Sequence, residues 1–116
     1  MTKAIGIDIV EFEEIKERLS DRFVHRILSE KELEKYHSIT NTDRRIAFLS
    51  GRFAAKEAYT KVYKVFEESL NFKDVEILND EAGAPYIVSK YRPEDKVLVS
   101  ISHSRNYAIA ICTLEM

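Results

Sequence analysis

Two carboxylates stand in apolar company. Asp8 interrupts the run KAIGIDIV, and Glu57 lies in GRFAAKEAYTK, one helical turn beyond Phe53. A carboxylate held away from water costs several kcal/mol (on the order of 3–5) unless a cation, hydrogen-bond donors or a proton compensates it. Two such acids brought together repel one another unless a divalent cation lies between them. Two carboxylates completed by waters and substrate phosphates are a usual setting for magnesium, Mg2+. Lys61 follows Glu57 at i+4, and Arg52 and Lys56 stand on another face of the same stretch. Basic groups beside a metal suit a polyphosphate ligand. SISHS, residues 100–104, ends an apolar run with His103 and Ser104 at a turn, where the imidazole can donate to a phosphate or stack on a base.

Each feature also has a plainer explanation. Glu57 and Lys61 form an i,i+4 pair worth about 0.3–0.5 kcal/mol on an exposed stripe. Asp8 is a solvated residue near a strand end, Arg52 and Lys56 are solvated helix cations, and His103 is an exposed turn residue. The elements that position these residues decide between the two accounts.

Residues 3–10 alternate as a strand, with Ile5, Ile7 and Ile9 on one face and Gly6 and Asp8 on the other. Residues 12–19 and 21–28 read as short helices. Ser29 with Glu32 has the form of a capping box, so a further helix runs from Glu30 to about His37. Asn41 or Thr42 then caps a long helix over roughly 43–66. Its alanines (Ala54, Ala55, Ala58) let a sheet approach closely, and its apolar residues surround much of the circumference. Residues 73–79 and 84–88 flank a turn at Asp80–Gly83, and 97–102 and 107–114 flank another at His103–Asn106. Both pairs are predicted antiparallel hairpins. The class is α+β: an antiparallel sheet wrapped on one long central helix, with short N-terminal helices, in a single domain over 1–116.

Composition narrows the function. The chain has 116 residues, 45% hydrophobic and 33% charged, which suits one soluble core. A formal net charge of −2 argues against a nucleic-acid binder. No apolar run approaches the ~20 residues of a membrane span. The first ten residues do not read as a signal peptide, and the single Cys112 reads as a buried thiol. A cytoplasmic protein is expected, with no membrane partner.

Taken in order, GIDIV, FVHRILSEKELEKY, FLSGRFAAKEAYTK, GAPY and VSISHSRNYAIA resemble the holo-acyl-carrier-protein synthases, the small group of 4′-phosphopantetheinyl transferases. The resemblance covers nearly the whole chain. It implies transfer of 4′-phosphopantetheine from coenzyme A to a serine of apo acyl carrier protein, dependent on magnesium, with release of adenosine 3′,5′-bisphosphate. It implies that Asp8 and Glu57 are metal ligands and that Lys61 lies near the pyrophosphate. By the same resemblance Arg52, His103 and Ser104 belong to the nucleotide and its 3′-phosphate, Gly83 and Pro85 to a loop beside the adenosine. A homotrimer with interfacial active sites is also implied.

Two departures stand out. Glu14 replaces a usual arginine on the carrier-facing helix, which leaves Arg18, Arg22 and Arg26 to carry the docking. The stretch KVYKVFEESLNF after the long helix lacks the family's glycine. The competing reading is a nonenzymatic coenzyme A- or nucleotide-binding module.

Overall fold

A computed structural model describes residues 1–63 and 70–116. The chain opens with strand β1 (Thr2–Glu11), followed by helices α1 (Phe12–Arg18), α2 (Asp21–Ile27), α3 (Glu30–Ser38) and α4 (Thr42–Tyr63). A 3-10 turn over Phe72–Asp74 then leads into β2 (Val75–Asn79), β3 (Pro85–Ser89), β4 (Lys96–His103) and β5 (Tyr107–Glu115).

The helix boundaries follow from local chemistry. Ser20 accepts from Phe23 N–H at the start of α2, and Ser29 and Glu32 close a reciprocal capping box at the start of α3. At α4 the cap is Asn41, whose Oδ1 accepts from Arg44 N–H at 3.0 Å. The expected helix over 43–66 is present from Thr42 to Tyr63. Its continuation to 66, Phe66 included, and half of the glycine-free stretch lie outside the described residues. The strand expected from residue 73 starts at Val75, because Asn71 caps the 3-10 turn that precedes it.

The strands form two antiparallel sheets rather than one. The first has the order β1-β5-β4, and the second is the β2-β3 hairpin. Both expected hairpins pair as read, with Ile77 opposite Ile87 and Ser100 opposite Ile111. The sheets flank α4, whose residues Leu49, Ala54, Ala55, Ala58 and Tyr59 are fully buried. From β5, Ala108, Ala110 and Cys112 face the helix. Burial pushes the Cys112 thiol up to about 12, as expected of an inert core thiol.

β1 lies closest to α4. A Cβ on Gly6 would meet the Ala58 carbonyl oxygen at 2.0 Å and Val62 N at 3.0 Å. Only glycine permits that approach. It turns the Gly6–Asp8–Val10 face of β1 onto the helix and leaves Ile5, Ile7 and Ile9 exposed on the other face.

Candidate active site

The first group of site residues forms where β1 crosses α4. Lys61 Nζ donates to Asp8 Oδ1 at 3.1 Å and to the Ile7 carbonyl at 2.9 Å. The i,i+4 pair of Glu57 and Lys61 in the plainer account is therefore not the contact made. Among the described ion pairs, Lys61 is held by Asp8. Pleating explains this: Asp8, two residues from Gly6, faces the same turn of α4 that Gly6 packs against, between Ala58 and Val62. Glu57 is half-buried, and its carboxyl is pushed above the usual range. Burial is the main cause, Asp8's negative charge the second, with Lys61 and Arg18 pulling the other way.

Glu57 also lines a groove of about 320 Å³ with Arg18, Arg26, Phe53 and Phe72. Arg18 stacks over Phe23 and Phe53, its guanidinium carbon 4.6 and 5.5 Å from the ring centroids. Two of the three arginines singled out in the sequence therefore share a groove with Glu57. The third, Arg22, is exposed one turn before Arg26 on α2. Glu14 is exposed on α1.

A second group surrounds Arg52, five residues back along α4 and so about 7.5 Å along its axis. Arg52 is 8% exposed and is not the solvated cation of the plainer account. Its guanidinium carbon lies 4.3 Å from the Phe48 ring centroid, and Nη2 donates to Asn79 Oδ1. Among the described residues its buried Nε has no partner and no carboxylate lies within ion-pair distance. Burial pulls the guanidinium below its usual range, only partly offset by Glu32. A buried arginine with a spare donor has the chemistry to receive an anion. One cleft beside it, about 260 Å³, is lined by Arg44, Arg52, Ile101 and His103.

The β2–β3 turn completes this side. Gly83 has φ 89°, a backbone conformation that favours glycine, and its carbonyl accepts from Asn79 Nδ2 at 2.9 Å. Pro85 opens β3 opposite Asn79. His103 is the exposed last residue of β4, and Ser104 N–H closes the following turn on Tyr107 O at 2.9 Å.

Lys56 departs from its expected place. It is fully buried, and Nζ donates to Glu32 Oε1 at 2.5 Å, Ile27 O at 2.6 Å and Phe72 O at 2.9 Å. Glu32 also accepts from Ser29 and Ile77 N–H. Wheel reasoning placed Lys56 with Arg52 correctly, but that face is covered by α2, α3 and β2. The alanines flanking Lys56 were the available signal. Arg44 and Asn79 were also missed: both sit at ends of elements, where periodicity carries no information.

Comparison with known proteins decides the lineage. Residues 4–112 match the family model described as the 4′-phosphopantetheinyl transferase superfamily. This chain belongs to that family. The holo-[acyl-carrier-protein] synthase of Acholeplasma laidlawii is 45% identical over 115 residues, covering 99% of this chain and 98% of the relative. A Bacillus anthracis holo-(acyl-carrier-protein) synthase, solved in complex with CoA (3′,5′-ADP), superposes with a TM-score of 0.88 at 40% identity, covering 99% and 97% of the two chains. The Helicobacter pylori enzyme in complex with coenzyme A gives 0.80 at 29% identity, covering 96% and 99%. The α+β class and the central helix are those of the family.

Proposed function

We propose that this chain moves 4′-phosphopantetheine from coenzyme A to a serine hydroxyl of apo acyl carrier protein, releasing adenosine 3′,5′-bisphosphate. The observation that carries the reading is the contact of Asp8 with Lys61 at the β1–α4 crossing, on the helix that bears Glu57, in a chain whose relatives bear the name of that activity.

The donor set fits magnesium. Both carboxylates are oxygen donors, both are partly buried, and Lys61 pairs with Asp8 in the turn that follows Glu57. Asp8 and Glu57 would hold the ion, leaving its other positions to water and the diphosphate. When bound, magnesium neutralises diphosphate charge and favours in-line attack. The chain's own residues do the rest. Arg52, Arg44 and His103 supply positive charge and donors for the nucleotide phosphates, with Gly83 and Pro85 beside the adenosine. Ser104, next to His103, belongs to the same side. The serine oxygen attacks the β-phosphorus, and the bond to the departing adenosine bisphosphate breaks. Glu57 takes the serine proton. Lys61, half-exposed, swings from Asp8 to the leaving phosphate.

Arg18, Arg22 and Arg26 dock the acidic carrier at the mouth of the Glu57 groove. A homotrimer completes the reading. Its support is the outward face of β1-β5-β4, where Ile5, Ile7, Ile9, Leu98, Tyr107 and Ile109 are all exposed. Sedimentation tests it: the wild type runs as a trimer and Ile9→Asp as smaller species, whereas a monomeric wild type rejects it. No described helix is long and apolar enough to cross a membrane. A cytoplasmic location is proposed, in keeping with the free, buried Cys112.

The test of function is the mass of apo acyl carrier protein after incubation with this chain, coenzyme A and magnesium. A phosphopantetheine adduct is expected. An unmodified carrier, with coenzyme A bound to the chain, leaves a binding module instead.

A further inference from the structure

We infer that Asn79 is a positioning residue that aims Arg52 at the nucleotide phosphates while leaving its charge unspent. The inference rests on the nucleotide-binding reading of Arg52 and extends it to a residue outside the motifs.

Arg52 is buried, and a buried guanidinium needs acceptors to hold it in place. The acceptor it finds is the Asn79 amide oxygen at the end of β2, and the two residues line a second cleft with Phe48 and Tyr86. The same amide donates to Gly83 O at 2.9 Å. One side chain therefore ties the arginine of α4 to the β2–β3 turn. An aspartate has the same length and the same acceptor, but it would form a charge-assisted pair with Arg52 and cancel the charge that an incoming phosphate needs.

The nearby acids are already engaged. Asp80, the next residue, accepts from Ala82 and Ala84 N–H at 2.9 Å within the turn. Glu32 is taken by Lys56 at 2.5 Å and by two backbone N–H groups. Arg52 is left touching a neutral amide, the Phe48 ring and an open cleft, with Nε free among the described residues. Asp80 and Glu32 are thus committed elsewhere, and the side chain in contact is the uncharged isostere.

The experiment measures adenosine 3′,5′-bisphosphate binding by calorimetry to the full chain, as wild type, Asn79→Ala, Asn79→Asp, Arg52→Met and Arg52→Met/Asn79→Asp. Asn79 is exposed, so its variants keep the fold. Asn79→Asp is expected to weaken binding about tenfold or more and Asn79→Ala about threefold, the difference being the added charge. In the Arg52→Met background, Asn79→Asp is expected to cost less than about twofold, because the two positions act as a unit. In turnover, Asn79→Asp raises the KM for coenzyme A and leaves the KM for carrier unchanged. Equal losses for Asp and Ala, no loss for Asp, or a full loss for Asp without Arg52 overturns the inference alone. A wild type that does not bind the bisphosphate overturns this inference and the functional reading together.

Discussion

Gly6 of β1 lies so close to Ala58 of α4 that a Cβ there would come within 2.0 Å of the Ala58 carbonyl oxygen. Asp8 follows two residues later on the same face, and its carboxylate meets Lys61 Nζ at 3.1 Å. The backbone contact therefore sets the distance between the strand's acid and the helix that carries Glu57 and Lys61.

Gly6→Ala should separate the two elements, since backbone atoms of Ala58 and Val62 block the methyl from two directions. The expected cost is about 1–3 kcal/mol or somewhat more in stability. A displacement of Asp8 on the order of 1 Å should lower turnover by about 10²-fold. Urea melts and carrier-modification rates check both. A Gly6→Ala variant with wild-type turnover would show that the tight crossing does not position the acid.

Lys56→Met should be severely destabilising. It removes the donor to Ile27 O and Phe72 O and leaves Glu32 buried without its cation. The expected loss is about 3–5 kcal/mol. Lys56→Met/Glu32→Gln should recover roughly half of that, because the uncompensated charge is gone. Thermal or urea denaturation reads the comparison, and a single variant as stable as the wild type would contradict it.

These two sites show what was legible in the sequence. Alternation in KAIGIDIV assigned Gly6 and Asp8 to one face, and the alanines of α4 predicted a close approach of sheet to helix. Both follow from local period. Lys56 was misread because a helical wheel gives direction and not cover. Its partner Glu32 lies in another helix, and no local pattern links them. Glu32 was recognised as a capping-box residue, yet its second role appears only once β2 packs against α3. Lys61 pairs with Asp8 rather than Glu57 for a related reason: the contact spans 53 residues of sequence. The split into two sheets was likewise hidden, since each hairpin reads the same whether or not it joins its neighbour.

Reversing the charge of Arg22 or Arg26 should raise the KM for apo carrier about tenfold while the KM for coenzyme A stays within about twofold, because exposed rim charges govern encounter with a charged partner. Arg26 lines the Glu57 groove and Arg22 sits one turn away, both exposed. Steady-state kinetics with each substrate varied in turn is the check. Equal loss toward both substrates would contradict the assignment of these arginines to the carrier.

The central claim is that Asp8 and Glu57 share one magnesium ion at the β1–α4 crossing. Carrier modification by the wild type, Asp8→Asn and Glu57→Gln as a function of magnesium concentration tests it most directly. The account predicts that chelation abolishes wild-type turnover. It also predicts that each variant needs about 10–100-fold more magnesium and turns over at least about 10²-fold more slowly. Either variant keeping both the wild-type rate and the wild-type magnesium dependence would contradict it.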